Sequence, residues 1–168
     1  MKRPKVIFID LDGTLINTRT GKSTPQGIWD MKIDLSVVSK IKDARPEYVF
    51  IVSNQSGIGR FVMEDEFNIK LDYVSASIKS YIKHPGLKVV ESIYCASVDR
   101  EDKYRKPNTG MLEYMVKHFK VEYSKSEMIM VGDASGKLGQ GDVDLMTARN
   151  FGIRYFDINE FLKIYFEN

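Results

Sequence analysis

The stretch Val6-Ile-Phe-Ile-Asp10-Leu-Asp12-Gly-Thr14 decides the fold. Its first four residues are β-branched or aromatic, too short a run for a helix, and they lead directly into two carboxylates. A continuous apolar run predicts a strand buried on both faces, as in a parallel sheet. Similar runs recur at 48–52, Val89–Cys95, 128–131 and 153–156. Between them lie segments at helical spacing. Leu35, Val38 and Ile41 mark one face, and Phe67, Leu71, Val74, Ile78 and Tyr81 an amphipathic helix of about four turns. Leu112, Met115 and Phe119 repeat the pattern after Pro107-Asn108, and Val143, Met146 and Asn150 do so more weakly. Asp157 and Glu160 have capping-box spacing and open a final helix through Ile158, Phe161, Leu162 and Tyr165. Strands alternating with helices predict a doubly wound α/β domain, a mostly parallel sheet with helices on both faces.

Composition sets the outer bounds. The chain has 168 residues, 25 basic and 23 acidic, with 43% hydrophobic and 29% charged residues. This is ordinary globular make-up, and it excludes a disordered, collagenous or polybasic chain. A single domain over 1–168 is expected, with no repeat or linker dividing it and no large cap insertion after the first or second polar loop. The longest apolar run is five residues, too short to span a membrane, and Val6–Ile9 is too short for a signal peptide's core. The single cysteine, Cys95, excludes an internal disulfide and a cysteine-rich zinc site. A monomeric cytoplasmic protein is expected, or a nuclear one.

Doubly wound sheets place ligands at the carboxyl ends of strands beside a topological switch point. Here those ends read Asp10-Leu-Asp12-Gly-Thr14, Ser53-Asn54-Gln55 and Gly132-Asp133. Asp10 and Asp12, two apart, can face one pocket, and Gly13 permits the sharp turn behind them. Such a pair can divide labour, one carboxylate as nucleophile and the other as general acid and then base. Two adjacent anions facing an anionic substrate call for a cation. Asp133 completes an all-oxygen site of the kind that suits Mg²⁺. An EF-hand is set aside because the acidic positions required after Asp10 are missing.

With these residues in place, the sequence resembles the haloacid dehalogenase superfamily of phosphotransferases. Val6 to Thr14 is similar to its first motif, Ser53 to its second, Lys106 to its third, and Gly132-Asp133 to its fourth. Within the superfamily, Gly13 to Lys22, Ser53-Asn-Gln-Ser-Gly57-Ile-Gly-Arg60, Tyr104-Arg-Lys-Pro-Asn-Thr-Gly-Met111 and Val131-Gly-Asp-Ala-Ser-Gly136-Lys resemble the polynucleotide kinase 3′-phosphatase family. The resemblance spans about 6–162 of the chain. It implies that Asp10 attacks phosphorus and forms an aspartyl-phosphate. Asp12 would protonate the leaving 3′-oxygen and then activate water, with Thr14 orienting it. Ser53 and the following backbone N–H groups would hold phosphate oxygens, and Lys106 would offset charge. Mg²⁺ would be held by Asp10, the Asp12 carbonyl and Asp133. Asp144 fits the register of an acidic residue supporting the metal's water shell, with Asp142 as competitor.

On the substrate side, the resemblance implies nucleic-acid 3′ ends, DNA foremost, with Thr14, Asn54, Arg60 and Arg105 as binding residues. Arg19, Lys22, Arg60, Lys103, Arg105, Lys106 and Lys137 all fall in loops at the catalytic edge, where cations can follow a phosphodiester backbone. Trp29 and Tyr104 are alternatives as base-stacking or packing residues. The main competitor is a small-molecule phosphatase of the histidinol-phosphate or heptose-bisphosphate type. Those relatives commonly carry a Cys/His zinc loop before the third motif, whereas Ala96-Ser-Val-Asp-Arg-Glu-Asp-Lys-Tyr104 has neither residue. A phosphoacceptor receiver domain would lack the second aspartate, and a non-catalytic DNA-end binder would not need the pair. Gly132 to Leu138 is one residue short of an ATP-cradling loop, so any kinase or repair activity is expected from separate partners.

Overall fold

The computed structural model describes residues 1–22, 25, 27–136 and 141–167. Five parallel strands form the central sheet: β1 (Val6–Ile9), β4 (Tyr48–Asn54), β5 (Val89–Cys95), β6 (Met128–Gly132) and β7 (Arg154–Asp157). Their order is β5-β4-β1-β6-β7, so β1 is central and the connections leave it toward both edges. Register follows from the continuous apolar runs, with Val6 opposite both Tyr48 and Met128, and Ile9 opposite Ile51 and Val131.

Alternation along β1 sorts the core into two layers. Ile7 and Ile9 pack with α1 (Leu35–Ala44) and α2 (Glu64–Tyr81) through Val38, Ile41, Val74 and Ile78. Val6 and Phe8 face α3 (Gly110–His118) and α4 (Val143–Phe151) through Leu112, Met115, Ala148 and Phe151. Each apolar side chain buried this way contributes roughly 1.5–3 kcal/mol. A last short helix, α5 (Ile158–Phe161), is capped by Asp157, whose carboxylate accepts from the Asn159 N–H.

Several local readings are corrected. Leu35 is exposed and Val37 takes its place on the buried face of α1. Tyr81 is also exposed, and Ile82 fills the core at that end of α2. On α4 the buried stripe is Asp144, Thr147, Ala148 and Phe151 rather than Val143, Met146 and Asn150. The last helix stops at Phe161, leaving Tyr165 exposed. Among the described residues, the segment after the first polar loop is ordered, without any large insertion. It forms an antiparallel hairpin, β2 (Ile16–Thr18) with β3 (Met31–Ile33), joined through a 3₁₀ turn at Ile28–Asp30. Asp30 is fully buried and accepts from the Thr20 N–H and hydroxyl, which ties the hairpin's connection together. No helix among the described residues is long and apolar enough to cross a membrane.

Candidate active site

The site is built where β1, β4 and β6 end. The Asp10 N–H still donates to Val131 O, so its carboxylate is fixed at the mouth of the sheet. The chain then turns on the Leu11 carbonyl, which accepts from Leu15 and Ile16 N–H at 3.0 Å. Gly13 closes the turn at φ +80°, and a Cβ there would stand 2.5 Å from Asp133 Oδ2. Glycine is required twice over, by backbone conformation and by the approach of Asp133.

Lys106 is the hub of the charged cluster. Its buried ammonium donates to Asp10 Oδ1 at 2.6 Å, Asp144 Oδ1 at 2.7 Å and Val52 O at 3.0 Å, which uses all three of its protons. Burial opposes the charge on Lys106, yet the two carboxylates outweigh it and hold its pKa above the ordinary lysine range. Burial pushes Asp10 up to about 7, Lys106 pulls against that rise, and Asp144 adds to it. Asp133 is also raised, by burial first and by Asp144 next. Carboxylate oxygens of Asp10, Asp133 and Asp144 lie within 4.8 Å of one another. An all-oxygen set with this much crowded negative charge fits a hard divalent cation. Asp142 is exposed at the start of α4, whereas Asp144 is buried and its Oδ2 accepts from Ala134 N–H. Gly132 leaves room for Asp144, since a Cβ would collide with that carboxylate.

Asp12 sits in the same cleft, held from two sides that sequence reasoning missed. Gln55 Nε2 donates to Asp12 Oδ2 at 2.6 Å and to Ser53 Oγ at 2.8 Å, joining two strand ends through one amide. Lys70, on the otherwise apolar face of α2, places its Nζ 3.5 Å from Asp12 Oδ1, a buried oxygen without a hydrogen bond. The visible signal for Lys70 is a lysine within the stripe Phe67, Leu71, Val74. Nothing local marks Gln55 as a partner of Asp12, because the pairing spans 43 positions.

Other expected site residues fall elsewhere. Thr14 does not orient Asp12; it is buried and its hydroxyl has no partner. The Asn54 amide is committed to Lys106, donating to its carbonyl and accepting from its N–H, both at 2.9 Å. That exchange aligns the lysine, and Asn54 also lines the cleft. Arg105 donates to Ser97 O, and Asn108 donates to the Arg100 and Asp102 carbonyls, so the segment before Lys106 is closed by hydrogen bonds of its own. Arg60 is exposed outside the cleft lining, and Lys137 lies outside the described residues. Tyr104 packs edge-on against Tyr114. Trp29 and Phe61 line the cleft with 67% and 89% of their surface exposed. The cleft itself has a volume of about 670 Å³.

Comparison with known proteins agrees with this geometry. Residues 5–162 match the family model described as polynucleotide kinase 3 phosphatase. The chain is 34% identical to the bifunctional polynucleotide phosphatase/kinase of Schizosaccharomyces pombe, over 92% of this chain and 36% of that protein. It is 27% identical to the histidine biosynthesis bifunctional protein HisB of Campylobacter jejuni, over 89% of this chain and 40% of that protein. The chain thus spans well under half the length of these two relatives. Among solved structures, the D,D-heptose 1,7-bisphosphate phosphatase from B. bronchiseptica, complexed with magnesium and phosphate, superposes with a TM-score of 0.63 at 19% identity, covering 97% of each chain. That likeness confirms the doubly wound architecture. With the matched family model spanning nearly the whole fold and its carboxylates converging at one sheet edge, the chain belongs to the polynucleotide kinase 3 phosphatase family of haloacid dehalogenase-type phosphatases.

Proposed function

We propose that the chain is a Mg²⁺-dependent polynucleotide 3′-phosphatase. One observation carries the chemical half: Asp10 and Asp12 share one cleft but are held by different partners. Asp10 is buried against the Lys106 ammonium, which offsets the charge of an attacking carboxylate. Asp12 accepts a hydrogen bond from the Gln55 amide, has the Lys70 ammonium farther off at 3.5 Å, and faces the cleft. Asp10 attacks phosphorus, the bond from phosphorus to the 3′-oxygen breaks, and Asp12 gives that oxygen its proton. Asp12 then takes a proton from water, the hydroxide displaces Asp10, and inorganic phosphate leaves. Ser53 lies at the β4 end beside this path, with backbone N–H groups after it to hold phosphate oxygens. Asp10, Asp133 and the Asp12 carbonyl would hold Mg²⁺, with Asp144 supporting from behind. The bound cation supplies charge neutralisation, the main demand of a loose phosphoryl transition state.

The polynucleotide half rests on the cleft's rim. Exposed Trp29 and Phe61 beside reacting carboxylates offer aromatic faces to nucleobases, which a small sugar phosphate does not need. The segment 96–104, free of Cys and His, also supports this reading over the histidinol-phosphate and heptose-bisphosphate type. The experiment is phosphate release from a 3′-phosphorylated oligonucleotide by wild type and Asp10→Asn, with and without EDTA. Release is expected only from wild type with Mg²⁺. Undiminished release by Asp10→Asn, or in excess EDTA, overturns the mechanism.

A further inference from the structure

The catalytic cleft continues into a second one. Ile28 and Trp29 line both the site and a groove of about 840 Å³ between α2 and the β2–β3 hairpin. Ile69, Tyr73, Ser77 and Tyr81 follow one another along α2 at intervals of four. At a rise of 1.5 Å per residue, they form a ridge about 18 Å long. Tyr73 and Tyr81 are 55% and 45% exposed, although the opposite stripe of the helix is buried in the core. Cations flank the groove: Arg19 and Lys32 are exposed on the hairpin side, and Lys42 Nζ lies 5.0 Å from the Tyr81 ring centroid. The acid within it, Asp34, is already engaged, accepting from Asn17 Nδ2 and from the first N–H groups of α1. Aromatic faces in series beside exposed cations are the chemistry that holds single-stranded nucleic acid.

We propose that this groove seats the single-stranded arm lying 5′ of the scissile 3′-phosphate. Bases lie against Tyr73 and Tyr81, and phosphodiesters face Arg19, Lys32 and Lys42. The inference rests on the polynucleotide reading above and extends it by assigning a path to the strand. Continuity through Trp29 is the reason for choosing this occupant over a peptide or a second copy of the chain.

Trp29 is the only tryptophan, so its fluorescence reports the junction between site and groove. The test titrates the protein with 3′-hydroxyl oligodeoxythymidylates, a dinucleotide and an octanucleotide, and follows quenching. The octanucleotide is expected to bind tighter, by about 5- to 150-fold for each ring engaged. Its affinity for Tyr73→Ala should fall toward that of the dinucleotide, whereas Tyr73→Phe, which keeps the ring, should retain it. Equal affinity for the two lengths, or an octanucleotide that binds Tyr73→Ala as it binds wild type, overturns the groove. Phosphate release from a 3′-phosphorylated octanucleotide is measured alongside. Release without length-dependent quenching leaves the polynucleotide reading standing and removes the groove. Length-dependent quenching that needs Tyr73, without release, keeps the groove and removes the catalytic reading.

Discussion

Replacing Lys106 by methionine keeps most of the side chain's volume but removes the charge that Asp10 and Asp144 share. In the wild type its Nζ bonds Asp10 at 2.6 Å and Asp144 at 2.7 Å, and it is 3% exposed, so water cannot substitute for it. Breaking a buried pair from one side costs about 3–5 kcal/mol, because the remaining charge is left uncompensated. Against a total stability of about 5–15 kcal/mol, this is about a fifth or more of what holds the fold. In a domain of this size it corresponds to a fall in Tm of roughly 6–20 °C. The pH dependence gives the sharper signature. Asp10 already stands at about 7, and losing Lys106 raises it further above its unfolded value of 3.8. A carboxyl with a raised folded pKa binds its proton more tightly in the folded state, so folding is favoured at low pH and stability falls as pH rises through the folded pKa. The deficit of Lys106→Met should therefore be smaller at pH 5 than at pH 8. Urea unfolding in EDTA at both pH values measures it. A deficit below about 1 kcal/mol at both, or one that shrinks as pH rises, refutes the reasoning.

Gln55→Leu should lower kcat about 10- to 150-fold with little change in KM, since it removes one charge-assisted hydrogen bond of about 1.5–3 kcal/mol from Asp12; an unchanged kcat contradicts this positioning. Gly13→Ala places a methyl 2.5 Å from Asp133 Oδ2 at φ +80°, so it should both destabilise the fold by about 1–2 kcal/mol and raise the Mg²⁺ concentration needed for half-maximal activity. Glu47 accepts from Lys88 first, then Tyr123 and Lys5, and its pKa falls to about 2. Its stabilisation is thus complete above the unfolded value of 4.5 and is lost as pH falls toward 2. Because the Lys88 side chain is 56% exposed, solvent screening limits the effect to about 1 kcal/mol or less between pH 6 and pH 3, measured against Glu47→Gln.

What the sequence disclosed depended on whether a segment's role was local. The runs at Val6–Ile9, 48–52 and Val89–Cys95 were legible because strands covered on both faces need apolar residues at every position. On α4 the same logic misled. Asp144 and Thr147 occupy the buried stripe because the site needs a carboxylate there, so hydrophobic spacing pointed to another face. The β2–β3 hairpin was hidden by its brevity, since three-residue strands with one buried side chain each carry too little alternation to read. Asp10, Asp12, Ser53 and Asp133 stood at readable strand ends, and Lys106 was marked by the family resemblance. Gln55 and Lys70 could not be assigned to Asp12, because their contacts exist only after β1, β4 and α2 have packed.

The most direct test of the central claim is a comparison of kcat/KM in Mg²⁺ for a 3′-phosphorylated oligonucleotide, histidinol phosphate and a heptose bisphosphate. The account predicts that the oligonucleotide is preferred and that its advantage falls with rising salt. For a single strand, log K changes by about −0.7 per log unit of salt for each phosphate contacted. Equal or greater kcat/KM for either small molecule, with no salt-dependent advantage for the oligonucleotide, would contradict it.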